Sequence, residues 1–451
     1  MNDNVARAPK WFYVALATAG GNSYIKVPRP IFTGENFLGS LSAFCCGMHN
    51  GWTSPSLVKL HAEEIQITSE QGFWIATSLF FGGIAGAVFW NLLSLKITKR
   101  MVALVTSIPL LASWLIIAFA QSYPPFLVAR ILAGISLSWA YCSVPLFLAE
   151  ISGSSLRGLV ITFFPLSISL GSFFINLLGS YASIRTTALI SLIFPALSLC
   201  LFLFIPDSPY DLIQRKRLED AKSSLKHFRG LEDVEEDFAG IKDALEQEVA
   251  GSYLDLFAEP SYRQALITLL GVRSVNQLTG YTAFKVYLQP NFFPHWCLGF
   301  IDRVGRKPLM VFASVVIAVA LIIFATVAYL YDANEIDQQF FVYASTTALL
   351  VYVSVFSLGL DFAPTVLLGE VFPYFLKPFA STIHEIYHCL LMIIVTKLFQ
   401  ATSDVFGMEA PFLLYATCTI FGIIFIIYCV PETKKKKLEE IQLLLKNKYK
   451  R

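Results

Sequence analysis

Long apolar runs alternate along this chain with short polar breaks. A helix needs about 20 apolar residues to cross the hydrocarbon of a bilayer. Runs of that kind fall at 38–60, 72–94, 101–120, 125–149, 158–181 and 186–205, then at 264–288, 308–331, 339–368, 379–400 and 411–430. They predict eleven clear spanning helices and a weak twelfth at 291–301, "NFFPHWCLGFI", apolar but too short to cross comfortably. Between the two groups the pattern changes. In 207–262 charges recur at helical spacing with Leu and Phe between them, which predicts two or three short amphipathic helices in water joining two membrane halves.

Loop charge gives the predicted orientation, because Lys and Arg collect on the cytoplasmic side. The basic loops are 96–100, 207–229, 302–307 and 434–451, whereas 61–71, 332–338 and 401–410 carry acids and hardly a base. Both termini are therefore expected in the cytoplasm, which requires something to cross between 290 and 301. At the N-terminus "WFYVALATAGG" (11–21) has the look of a signal-peptide core, but Lys26 and Arg29 follow it and 38–60 spans alone. The preferred reading is a cytoplasmic tail over 1–37; a first span split by 22–37 is the alternative. The expected organisation is then a tail (1–37), an N-terminal bundle (38–206), a cytoplasmic helical linker (207–262), a C-terminal bundle (263–430) and a basic tail (431–451).

Composition agrees with a membrane protein. The chain of 451 residues is 55% hydrophobic and only 15% charged, against about 25% charged in soluble domains. Its mean hydropathy is +0.61. The eight cysteines lie almost wholly inside apolar runs with no CxxC spacing, which argues against a disulfide framework or a zinc knuckle. No N-glycosylation sequon occurs, and nothing supports nucleic-acid binding or a cofactor.

The two halves echo each other. "FLAEISGSSLRG" holds Glu150 and Arg157 seven apart, and "LLGEVFPYFLKP" holds Glu370 and Lys377 seven apart, both pairs offset by 220 residues. "IPDSPY" (205–210) closes the first half and "VPETKK" (430–435) the second. Parallel six-span repeats with a long central loop are the layout of a transporter whose two bundles rock about a midplane site.

Seven segments in order carry a family resemblance: "ARILAGI" (129–135), "PLFLAEISGSSLRG" (145–158), "PDSP" (206–209), "NQLTG" (276–280), "DRVGRKPL" (302–309), "GEVFP" (369–373) and "PETKKKKLEEI" (431–441). Together they resemble the sugar porters of the major facilitator superfamily, nearest to insect facilitated trehalose and hexose transporters, over about 38–445. The resemblance implies an all-α fold of two six-helix bundles, a sugar substrate, facilitated diffusion by alternating access, and a multi-pass location in the plasma membrane. It also implies that Asp302, Arg303 and Arg306, with Glu150, Arg157, Glu370 and Lys377, form a charge network that ties helix ends together on the cytoplasmic side in one orientation.

The implied sugar contacts are Asn276, Gln277, Thr279 and Thr282 on the seventh span and His388 on the eleventh. Asn276 and Thr282 replace a Gln and an Asn of the family pattern, and Pro165 stands where the fifth span carries a Gln. "GLDFAPTV" (359–366) lacks the family's Trp. His49 falls where proton-coupled members carry an Asp, making it a candidate proton site, with uniport as the default.

Two departures stand out. The loop 94–101 has Leu95 and Thr98 where the motif has Asp and Gly, which predicts a lopsided network in that half. The interval from Gln264 to Asp302 is 38 residues against 57 from Leu38 to Leu95, a deficit of about one membrane helix, so the eighth span is expected to be truncated. A non-transporting sensor or decayed homologue lacking that helix is therefore an alternative.

"HEIYH" (384–388) offers an enzymatic rival. Two histidines four apart share a helix face and could hold Zn²⁺, with Glu385 activating a water. Asp361 is the only acid deep in a nearby apolar run that could be a third ligand, and no surrounding motif supports an intramembrane protease. In the transporter reading, His384 and Glu385 are helix-end polar groups and His388 takes the place of an Asn.

Overall fold

The computed structural model describes residues 34–62, 67–94, 96–152, 157–230, 233–247, 252–287, 305–361 and 363–430. The segment expected to hold a shortened eighth span and the two terminal tails lie outside these residues, apart from the start of the first helix.

The first half contains α1 (Gly34–Ala62), α2 (Ser69–Ser94), α3 (Lys99–Phe119), α4 (Tyr123–Ile151), α5 (Arg157–Tyr181), α6 (Ile184–Ser191) and α7 (Ile193–Phe202). The linker forms α8 (Pro209–Gln214), α9 (Leu218–Arg229), α10 (Glu235–Gln247) and α11 (Asp255–Ala258). The second half contains α12 (Pro260–Leu278), α13 (Tyr281–Tyr287), α14 (Arg306–Asp332), α15 (Gln338–Gly359), α16 (Ala363–Val371), α17 (Lys377–Phe406) and α18 (Ala410–Cys429). Among the described residues nine helical stretches are long and apolar enough to cross a membrane.

Their outer faces are apolar. On α14, Phe312, Val315, Val319, Ile322 and Ile323 are all exposed, a stripe at helical spacing. In water such a stripe would be buried; facing lipid tails it costs nothing.

Small residues set the inner faces. A Cβ on Gly134 of α4 would collide with the Leu79 carbonyl of α2, and one on Gly82 with the Ile131 carbonyl. The α2 and α4 backbones thus touch, as membrane helices do where small residues line the contact.

Three sequence-predicted spans are interrupted, each for a local reason. The run 186–205 becomes α6 and α7, because Pro195 lacks an N–H and its ring opposes the carbonyl one turn back, at Ser191. The run 264–288 breaks after α12, where Gly280 takes a positive φ of 86°. The run 339–368 breaks at Leu360, four residues before Pro364, whose missing N–H leaves the Leu360 carbonyl without its helical donor.

Separate apolar clusters fill the two halves. One gathers Trp52, Trp114, Phe126, Phe147 and Phe164 with Cys389 of α17. A second gathers Phe284, Tyr352, Phe356, Phe412 and Tyr415. The linker has its own small core of Leu212, Ile213, Ala221, Leu225, Val234, Phe238 and Ile241. The halves meet where α17 lies against α2 and α4. A Cβ on Gly83 would come within 2.6 Å of Cys389 Sγ, Cys142 Sγ lies 3.9 Å from the Ser381 carbonyl, and the Lys397 ammonium stands over the Phe73 ring.

Candidate functional site

The second half presents its polar groups from α12. Arg273, Asn276 and Gln277 fall at i, i+3 and i+4, so they share one face. Asn276 Nδ2 donates to the Leu360 carbonyl at 2.8 Å, taking up the acceptor that Pro364 leaves open. Gln277 Nε2 donates to Asn276 Oδ1 at 2.8 Å, and Thr282 Oγ1 donates to Gln277 Oε1 at 2.6 Å. Thr279 turns the other way: its hydroxyl donates to the Asn276 carbonyl and accepts from Tyr352 Oη.

"HEIYH" lies two turns inside α17 rather than at its end. His384 and Glu385 are each only 4% exposed, which corrects the expectation of helix-end polar groups: α17 already begins at Lys377. Arg273 Nε donates to His384 Nε2 at 2.9 Å, so that imidazole nitrogen is an acceptor. Glu385 Oε2 lies 3.4 Å from His388 Nδ1, and Cys389 Sγ points at Glu385 Oε1. Among the described residues no three His, Cys, Asp or Glu side chains gather where they could hold a metal. A guanidinium docked on one histidine of the pair opposes Zn²⁺ by charge as well.

The facing wall comes from the first half. Arg130 is buried on α4 and donates to three neutral oxygens: the Ile75 carbonyl at 3.4 Å, the His49 carbonyl at 2.6 Å and Thr53 Oγ1 at 2.7 Å. It also stands over the Trp52 ring. The His49 ring is fully buried, stacks on Trp114 with centroids 4.0 Å apart, and makes no hydrogen bond through either nitrogen among the described residues.

Between these walls lies a cavity of about 80 Å³. The first half lines it with Asn50, Thr53, Phe80, Arg130, Tyr141, Phe164, Pro165 and Ser169, and the second with Arg273, Asn276, Gln277, Tyr281, Thr282, Asp361, Thr365 and His388. Four of the five sequence-predicted sugar contacts are therefore brought together, while Thr279 and His49 do not reach the cavity. Arg273 and Tyr141 were not singled out by sequence. A lone arginine inside a predicted span is the signal that points to the first.

The first half also closes on itself at the linker. Lys99 Nζ lies 2.6 Å from Asp211 Oδ1 and 2.9 Å from Glu150 Oε1. Ser208 Oγ donates to Glu150 Oε2 at 2.6 Å, and Thr98 Oγ1 donates to Asp207 Oδ1 at 2.5 Å. Arg229 Nη1 caps the Ile151 carbonyl at the end of α4. Of the network expected from sequence, Glu150 sits in this cluster and Lys377 opens α17 half-buried. The side chains of Arg157, Arg306 and Glu370, and all of Asp302 and Arg303, lie outside the described residues. "SLKITKRM" lacks the motif's acid and glycine, yet Thr98 and Lys99 from that loop organise the cluster through "PDSPY".

Two helical bundles with apolar outer stripes and a polar cavity between them are the architecture of a multi-pass membrane protein. A model for "sugar (and other) transporter" matches residues 41–295 and 291–445. The chain belongs to that family, whose members carry solutes and are not enzymes. The facilitated trehalose transporter of Apis mellifera ligustica is 28% identical over 436 residues, covering 89% of this chain and 86% of that protein. Its Aedes aegypti counterpart is 26% identical over 97% of this chain, which spans only 59% of that relative's length. Against the Drosophila grimshawi counterpart the chain spans 51%. Among solved structures, the major facilitator proton:xylose symporter XylE bound to 6-bromo-6-deoxy-D-glucose superposes with a TM-score of 0.76 at 20% identity, covering 91% of this chain and 98% of that one. The inward-open xylose transporter XylE from E. coli gives 0.73 over 92% of this chain and all of the other. These likenesses fix the major facilitator fold.

Proposed function

We propose that the chain moves a neutral sugar, trehalose or a hexose, down its gradient across the plasma membrane by alternating access, with both termini in the cytoplasm. The observation that carries this reading is the cavity between the halves, lined from both sides by hydroxyls, amides, charged groups and aromatic rings. Hydroxyl-rich ligands need such groups for their polar edges and rings for their C–H faces. Relatives described as facilitated trehalose transporters support the substrate class.

Asn276, Gln277, Thr282 and His388 are the sugar contacts in this reading. At about 80 Å³ the cavity is smaller than a typical ligand pocket of roughly 300 Å³ or more, so the bundles must part to admit a sugar. In this reading Glu150, Arg157, Asp302, Arg303, Arg306, Glu370 and Lys377 are the cytoplasmic charge network that makes and breaks as they rock.

Proteoliposomes holding the purified chain test the reading with labelled trehalose and glucose. Saturable uptake, unchanged by imposed proton or sodium gradients, is expected. Uptake no faster than in empty liposomes defeats it.

A further inference from the structure

The amides of the cavity wall are largely committed to the protein itself. Asn276 spends Nδ2 on the Leu360 carbonyl, and its Oδ1 accepts from Gln277 at 2.8 Å and from Arg273 at 3.4 Å. Gln277 is further held through Oε1 by Thr282. Arg273 differs. A guanidinium carries five N–H donors in a fixed fork. Arg273 uses Nε on His384 and Nη1 on Asn276, and its Nη2 makes no hydrogen bond among the described residues although the side chain is only 4% exposed. It lines the cavity, and Asp361 lines the same wall.

We infer that Arg273 is the principal sugar-binding donor of the second half, with Asp361 as a matching acceptor, and that the ligand is a neutral polyhydroxy compound. This rests on the transport reading only for the identity of the cavity. His384 fixes the fork from behind, so Arg273 reaches the cavity pre-oriented and loses little freedom on binding. A hydrogen bond from a charged donor is worth more than one from an amide. A sugar hydroxyl can accept from Arg273 while it or its neighbour donates to Asp361. A sugar acid would meet Asp361, and an amino sugar would meet Arg273. Opposite charges on one wall therefore suit a ligand with no charge of its own.

The test reads binding and transport separately. Binding to the purified full chain is read from the ligand-induced rise in unfolding temperature with glucose, trehalose, a set of monodeoxyglucoses and glucuronate. Arg273→Gln is expected to weaken the parent sugar about tenfold or more. One deoxy analogue, lacking the hydroxyl that Arg273 meets, is expected to bind wild type and Arg273→Gln equally. Glucuronate is expected to give no shift. Arg273→Lys keeps the charge without the fork and is expected to show the same coupling, more weakly; it stands in if the Gln variant does not fold.

Equal losses for every analogue, or none, would overturn the role of Arg273, and tighter binding of glucuronate would overturn the neutral ligand. Wild-type binding without Arg273 dependence leaves the transport reading intact. Arg273-dependent binding without uptake in proteoliposomes supports the inference and defeats the transport reading. No binding by wild type to any sugar overturns the inference outright.

Discussion

Asp211 grips Lys99 twice: Oδ1 lies 2.6 Å from the ammonium and Oδ2 accepts from the Lys99 backbone N–H at 2.9 Å. The same carboxylate thus pairs with a side chain and caps the positive end of α3. Glu150, at the end of α4, takes the other side of the ammonium at 2.9 Å. One lysine therefore joins α3, α4 and the first linker helix.

Lys99→Met would leave two buried carboxylates facing each other without a cation. Breaking a buried pair in this way costs about 3–5 kcal/mol. The expected result is a clear fall in the thermal unfolding midpoint of the purified protein. Adding Glu150→Gln and Asp211→Asn to Lys99→Met is expected to recover part of it. A Lys99→Met protein as stable as wild type would contradict the cluster.

Arg130 offers a second stability test. Its three acceptors come from α1 and α2, so it ties both to α4. Arg130→Met removes these bonds from a charged donor, while the Ile75 carbonyl keeps the Ser78 hydroxyl, and an overall loss of about 1–3 kcal/mol is expected. Arg130→Lys retains the charge but not the fork and is expected to fall between. Urea or heat titration of the three proteins orders them.

Gly83 and Cys389 lie across the seam between the halves. A Gly83→Cys variant is expected to cross-link to Cys389 under mild oxidation and to lose uptake, with recovery on reduction. Uptake that survives complete cross-linking would show that α2 and α17 stay together throughout the cycle.

His388 separates the zinc and sugar readings functionally. His388→Asn, which places an amide there, is expected to keep uptake within a few-fold of wild type, whereas His388→Ala raises KM about three- to tenfold, the loss of one hydrogen bond. Strong chelators are expected to leave uptake unchanged. Initial rates at several sugar concentrations distinguish these outcomes.

Much of the fold was legible because lipid-facing helices need length and apolarity, and both are read directly from the chain. The interruptions were harder. Averaging over a run hides Pro364 and Gly280, although each is a visible cause of the break beside it. Asn276, Gln277, Thr282 and His388, named through the family resemblance, line one cavity, while Thr279 is claimed by Tyr352 from α15, a partner no local pattern reveals. Arg273 was overlooked because its apolar neighbours outweigh one charge in any window. Lys99 and Asp211 stand 112 positions apart, so only the folded linker discloses them as partners. "HEIYH" was ambiguous in sequence because spacing alone serves zinc and a sugar equally; the guanidinium on His384 separates the two.

The two broken helices of the second half are not independent. The Leu360 carbonyl freed by Pro364 is held by Asn276, which precedes the other break by four residues. The interruptions therefore make a single joint, pinned at 2.8 Å. Torque applied to α16 at its far end is delivered to α12 through that pin, and α12 carries Gln277 with it. One neutral hydrogen bond, worth about 1 kcal/mol, is thus the link between the two breaks, and Asn276 is at once a wall of the cavity and its hinge pin.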